Sequence, residues 1–230
     1  MGDCPICCVP LPIDTQKSTQ MPCCGQVICN GCQYANQKRE AEGGLDQKCP
    51  FCRYPIPGSH EEARIKYTQT LMKRVGANDV AAMNQLGTFC KDEGDHKKAF
   101  EYWTKAAGLG SSLSHYNLSC LYNFGLGVAK DEKKEVYHTE EAAIRGHAAA
   151  RYDLGCIENK RGKLDRAAKH WIIAANMGHD GSLRALKRCS MLGKVSKDDF
   201  AAALSAHQAA VDATKNPQRE EGEAILSKKR

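Results

Sequence analysis

The chain has 230 residues, 42% of them apolar, and a formal net charge of +6. A globular, soluble protein is expected, with one sizeable core or a small domain joined to a larger one. No run approaches the roughly 20 apolar residues that a bilayer span requires, which excludes a membrane-crossing helix and leaves no membrane partner expected.

The 13 cysteines are odd in number, and Met1-Gly2-Asp3-Cys4 runs straight into the first cysteine pair without the apolar stretch of a secretory leader. A reducing compartment follows as the expectation: the cytosol, with the nucleus as the alternative. Ile6 stands where a myristoylation signal wants Ser or Thr, so Gly2 is not read as a lipid site.

Eight cysteines within the first 52 residues fall into four pairs: Cys4-Pro5-Ile6-Cys7, Cys23-Cys24, Cys29-Asn30-Gly31-Cys32 and Cys49-Pro50-Phe51-Cys52. A Cys-x-x-Cys turn sets two sulfurs close enough to share one zinc at about 2.3 Å, so the inventory is that of two tetrahedral Zn²⁺ sites. Eight thiolates around two divalent ions would add a charge of −4 and leave the loaded protein near +2. Residues 1 to 60 hold five basic and five acidic side chains, so this segment has no spare charge with which to neutralise phosphates. Nucleic acid is not expected as a partner.

Fifteen residues separate the first two pairs, four the next two, and sixteen the last two. That order of spacings resembles a RING finger over residues 1–58. Gln26 stands at the usual histidine position and the segment before His60 has no histidine, so the resemblance is to the all-cysteine variant. It implies that ligand pairs alternate, Cys4, Cys7, Cys29 and Cys32 holding the first zinc and Cys23, Cys24, Cys49 and Cys52 the second. Cys8 is the reserve ligand should Cys23, beside Cys24, fail to aim its sulfur at the same metal. RING fingers act as ubiquitin ligases that bind a ubiquitin-conjugating enzyme carrying ubiquitin. The resemblance assigns Ile6 and Pro50 to the walls of the docking groove, with Tyr34 or Asn36 completing it, and Arg53 to the cation that bridges ubiquitin and conjugating enzyme.

Composition changes near residue 58, with nine cysteines and seven of eight prolines lying before it. Pro55-Ile56-Pro57-Gly58 reads as an exit turn. Ser59 and Glu62 form a capping box for a linking or capping helix over 59–76 that Gly76 ends. The chain then repeats itself: Ala106-Ala107-x-x-Gly110 recurs as Ala142-Ala143-x-x-Gly146 and Ala174-Ala175-x-x-Gly178, with Leu118, Leu154 and Leu186 eight residues after each glycine. Each unit reads as two antiparallel helices, in three units of about 77–110, 111–147 and 148–180 and a divergent fourth of 181–215. Trp103 and Trp171 are expected to fill larger gaps between units. Residues 216–230 read as a charged, flexible tail.

Variable unit length, the A-A-x-x-G closure and the Gly125-Leu126-Gly127-Val128 loop together resemble the Sel-like repeats, relatives of the tetratricopeptide repeats. That resemblance implies a helical scaffold for binding proteins. The expected fold is therefore mainly α, a small two-zinc cross-braced module followed by an α-solenoid of helix pairs. The expected function is a RING-type ubiquitin ligase that recruits a substrate or adaptor through its repeats. The alternative is a non-enzymatic, zinc-stapled interaction scaffold. Cys90, Cys120, Cys156 and Cys189 read as core packing rather than nucleophiles, and His147 and His179 as turn or packing residues rather than metal ligands.

Overall fold

The computed structural model describes residues 2–12, 17–21, 23–56 and 60–227. The chain divides into two compact units, Met1–Lys73 with Val211–Arg230, and Arg74–Ala210.

In the first unit an antiparallel pair, β1 (Ser18–Gln20) and β2 (Val27–Cys29), sets Thr19 opposite Ile28 and leads into α1 (Asn30–Glu42). Its buried centre consists of Cys4, Met21, Ile28, Cys29, Cys32 and Cys49. Four of those six are cysteines, as befits a segment too short to assemble an ordinary apolar core. Helix α2 (His60–Gly76) follows. Residues Pro57 to Ser59 of the expected exit turn and capping box, and the Glu62 side chain, lie outside the described residues.

The expectation of a flexible tail is corrected. Pro217–Ser227 forms α11 and packs against α1. Pro217 occupies the first helical position, where its missing N–H costs nothing, and Asn216 Oδ1 accepts from the Arg219 N–H at 2.8 Å to cap the helix. A Cβ on Gly222 would stand 3.0 Å from Gly31 Cα, so the two helices cross glycine against glycine. Little apolar side chain is needed when backbones meet this closely. Lys228 to Arg230 lie outside the described residues.

The second unit is a stack of helix pairs: α3 (Val80–Asp92) with α4 (His96–Gly108), α5 (Ser112–Phe124) with α6 (Glu132–Ile144), and α7 (Ala148–Lys160) with α8 (Leu164–Asn176). After α9 (Asp180–Met191), α10 (Lys197–Asp212) adds Phe200 and Ala203 to the last core cluster. The A-A-x-x-G signature now has a physical meaning. Its alanines are buried, and its glycine adopts φ of 83–89° so that its own N–H and that of the next residue reach back to the two alanine carbonyls. Ser111 N donates to Ala106 O, His147 N to Ala142 O and His179 N to Ala174 O, at 3.0–3.1 Å.

Those three residues open the next helix and also grip the unit before it. Ser111 caps α5 and bonds Asn84 at 3.0 Å. His147 caps α7 through Nδ1 and stacks on Tyr116 with ring centroids 4.3 Å apart. His179 caps α9 and lies 4.8 Å from the Tyr152 ring. Both histidines therefore have capping and packing roles.

Inside each pair a small residue faces a large one. A Cβ on Gly87 would fall inside the Trp103 indole, and one on Gly155 inside that of Trp171. In the middle pair the corresponding residues are Ser119 and Thr139, both buried, so a larger residue on the first helix accompanies a smaller one on the second. Gly125-Leu126-Gly127-Val128 caps α5 with Gly125 at φ 70° and lays Gly127 against His96, where a Cβ would lie 2.7 Å from the carbonyl carbon.

Candidate metal centre

Three turns of one design build the site. In the first, Cys4 N donates to Val9 O at 2.9 Å, Cys8 N donates to Cys4 O at 2.8 Å, and Cys8 takes φ 54°. The last repeats it, with Cys49 N to Tyr54 O at 2.8 Å, Arg53 N to Cys49 O at 2.9 Å, and Arg53 at φ 61°. The middle turn has the same two bonds, Met21 N to Gln26 O and Gly25 N to Met21 O, with Gly25 at φ 74°. Met21 thus sits where the other turns have their first cysteine, and Cys23 and Cys24 occupy the third and fourth places. Their adjacency is a consequence of the turn: the first sulfur is replaced by a buried thioether and the third position supplies one instead.

Two groups of four sulfurs result, Cys4, Cys7, Cys29 and Cys32, and Cys23, Cys24, Cys49 and Cys52, each with all Sγ atoms within 4.8 Å of one another. Cys8 is exposed and belongs to neither. The pairs Cys4–Cys32, Cys7–Cys29 and Cys24–Cys49 stand 3.8–3.9 Å apart, and Cys52–Cys23 3.3 Å. Sulfurs 2.3 Å from a central tetrahedral ion would be about 3.8 Å from one another, whereas a disulfide needs about 2.05 Å. All thirteen cysteines are free thiols.

Charge makes the same case. Burial alone would push the Cys4 thiol up, but N–H groups of Cys29, Cys7 and Ile6 and the Cys7 side chain bring it down to about 7. Burial first, then the neighbouring sulfurs, push Cys23 and Cys32 strongly up. Four thiolates this close cannot all ionise without a cation among them, and a divalent ion reverses that balance. The two groups could each hold a metal ion.

Around this centre, Ile6 and Phe51 occupy the same place in the first and last turns and are 40% and 45% exposed. Pro50 is half-buried beside Phe51. Arg53 Nη1 lies 3.4 Å from Asn36 Oδ1 and 3.8 Å from Glu40 Oε1. Glu40 is 1% exposed and its Oε2 accepts from Lys48 N at 3.3 Å, so a buried carboxylate fixes the direction of a half-exposed guanidinium. Asn36 Nδ2 also donates to Lys48 O at 3.2 Å. Tyr34 lies on the other side of α1, its Cβ 3.4 Å from where a Gly222 Cβ would be, so α11 already occupies that face. Asn36, not Tyr34, accompanies Arg53.

Sequence reasoning passed over four residues here: Met21, Glu40, Asn216 and Arg219. Arg219 Nη1 donates to Pro10 O at 2.6 Å and to Thr214 O, and Nη2 to Val9 O at 3.0 Å and Cys7 Sγ at 3.6 Å. Asn216 Nδ2 donates to the same sulfur at 3.7 Å. Spacing gives no sign of this, because more than 200 residues separate the partners. Among the described residues no helix is long and apolar enough to cross a membrane.

Comparison with known proteins places the second unit. Residues 77–111, 112–147 and 148–179 each match the family model of the Sel1 repeat. The solved Sel1 repeat protein from Oxalobacter formigenes aligns with a TM-score of 0.56 at 15% identity, covering 86% of this chain and 87% of that one, a likeness of fold. The c5321 protein, a protective antigen of uropathogenic Escherichia coli displaying an SLR fold, aligns at 24% identity with a TM-score of 0.48, over 75% of this chain and 36% of that one. Residues 77–179 are accordingly three Sel1 repeats, and their stacked helix pairs form the solenoid of the second unit.

Proposed function

We propose that the protein is a RING-type ubiquitin ligase, with two Zn²⁺ ions in the cysteine groups, a charged ubiquitin-conjugating enzyme docked on the zinc module, and a substrate or adaptor protein held by the Sel1 repeats. The observation that carries the reading is the interleaving of the two groups: the first and third cysteine pairs converge, as do the second and fourth. Zinc bound there is structural, tying distant segments together. The platform then presents Ile6 and Phe51 as exposed apolar surface with the half-buried Pro50 beside them, which supports the assignment of Ile6 and Pro50 to a docking groove. Arg53 is aimed by Glu40 and Asn36, and its fork of donors suits a bridge between two carbonyl-rich partners. Such a ligase forms no covalent intermediate. It accelerates attack of a lysine amine on the thioester by holding ubiquitin and conjugating enzyme in one orientation.

Discharge of ubiquitin from a conjugating enzyme to free lysine tests this. The full protein should accelerate it, and Arg53→Ala or Ile6→Ala should remove most of the acceleration while two zinc ions remain bound. Equal discharge with and without the protein across a panel of conjugating enzymes would refute the ligase. One observation favours the second reading, a zinc-stapled scaffold without activity: the chain lacks the bulky tryptophan that many RING fingers place near Asn36, and Asn36 itself is engaged with Lys48 O and Arg39 and offers no apolar surface.

A further inference from the structure

Arg219 is 2% exposed and carries a permanent positive charge. A guanidinium taken out of water needs anions or carbonyls in place of its hydration. Three carbonyls, of Val9, Pro10 and Thr214, take up part of its fork, but among the described residues no carboxylate pairs with it. Its Nε is buried and has no hydrogen-bond partner. Two ligand sulfurs of the first group lie within reach, that of Cys29 and that of Cys7, and the Cys7 sulfur also receives Asn216 Nδ2. Both donors come from the turn that opens α11, and α11 is held there by the glycine crossing with α1 and by the Lys38–Glu221 ion pair at 3.2 Å. A Cβ on Gly31 would come within 2.6 Å of Arg219 Cα, so the place of Arg219 depends on that crossing.

Four thiolates around one divalent ion leave a net charge of −2, spread over the sulfurs. A buried guanidinium beside two of them, Cys7 and Cys29, offsets half of that charge where water cannot. Resting on the metal reading above, we propose that Arg219 and Asn216 are positioning residues of the first metal site: donors from the far end of the chain neutralise and orient the Cys7 thiolate. Retention of the first ion then depends on α11, and retention of the second does not, because neither residue donates to Cys23, Cys24, Cys49 or Cys52. The first cysteine turn and the last helix form one structural element, although almost the whole sequence lies between them.

The full chain loaded with two ¹¹³Cd²⁺ ions, read by cadmium NMR and by chelator-driven release, tests this. A Cys52→Ser variant, lacking a second-site ligand, identifies which resonance belongs to the first site. Arg219→Gln should shift the first-site resonance, leave the other in place, and speed release of one ion by about 10- to 100-fold, the range seen when outer-shell partners are removed. Arg219→Lys, which keeps the charge but not the fork, should fall between. Asn216→Asp retains the cap of α11 and replaces a donor to sulfur with an anion, so it should accelerate release of the same ion. It also decides the question should Arg219→Gln fail to fold. Release of both ions at the original rate, or equal acceleration of both, overturns the proposal. Fewer than two ions on the unaltered protein would overturn the metal reading itself.

Discussion

Gly155→Ala offers the sharpest test of how the helix pairs fit. The new methyl carbon would stand 2.5 Å from Trp171 Cδ1 and 3.0 Å from Cε2, against 3.5–4.0 Å for an ordinary carbon contact, so the indole has to move by about 1 Å. It has little room, because Trp171 is 4% exposed and packed in a cluster with Ala167, Ala175 and Leu186. Overpacking of this kind costs about 1–3 kcal/mol, whereas alanine gains about 1 kcal/mol over glycine in a helix interior. With contacts this short the steric cost should exceed the gain, giving a net loss of up to about 2 kcal/mol. The middle pair supplies the compensating change: Gly155→Ser with Trp171→Thr copies Ser119 and Thr139. Trp171→Thr alone leaves a cavity and should cost about 3–5 kcal/mol, and the double variant should recover at least about 1 kcal/mol of the summed losses. Urea unfolding of the original, Gly155→Ser, Trp171→Thr and the double variant, followed by far-ultraviolet circular dichroism, gives all four corners of this cycle. A Gly155→Ala protein as stable as the original, or strictly additive losses, would refute the complementarity.

Other outcomes follow from the same structure. Burial holds the His147 imidazole near pH 4, against an ordinary value of 6.5, and its unprotonated Nδ1 accepts the Ala150 N–H at 3.3 Å. The unfolded chain therefore takes up the proton first as pH falls: stability is fully present above about 6.5, drains between there and about 4, and amounts to about 2–3 kcal/mol. A flat unfolding midpoint over that window, or one unchanged by His147→Asn, would contradict it. Chelation should unfold the first unit and leave the helical signal of the Sel1 repeats, measured by hydrogen exchange of α3 to α8; protection retained in α1 would exclude metal as its staple. Gly127→Ala should lower stability by about 1–3 kcal/mol, because φ is 70° and the Cβ would press on the His96 backbone; an unchanged melting temperature would count against it.

The repeats were legible because their signature is backbone geometry written in composition. Two alanines let helices approach, a glycine turns the chain, and a leucine follows at fixed distance. The cysteine pairs were legible for a similar reason, since few functions other than metal binding put so many thiols at such spacings. What escaped the sequence were relations between distant residues. Met21 reads as an ordinary apolar residue, and only the shared hydrogen bonds of the three turns reveal it in a cysteine's place. Helix α11 is rich in charge and presents a glycine and an arginine to its neighbour, so hydropathy marks it as solvated. Glu40 gives no periodic signal because its task is electrostatic.

The residues that open α5, α7 and α9 each reach backward to the preceding unit, Ser111 to Asn84, His147 to Tyr116 and His179 to Tyr152. The array is thus laid like shingles, each overlapping the one beneath. Stripping a unit from the carboxy-terminal side bares a receiving residue such as Tyr152, while stripping one from the amino-terminal side leaves a reaching residue such as His147 without its partner. A solenoid built this way has a direction, and lengthening or shortening it is a different operation at each extremity.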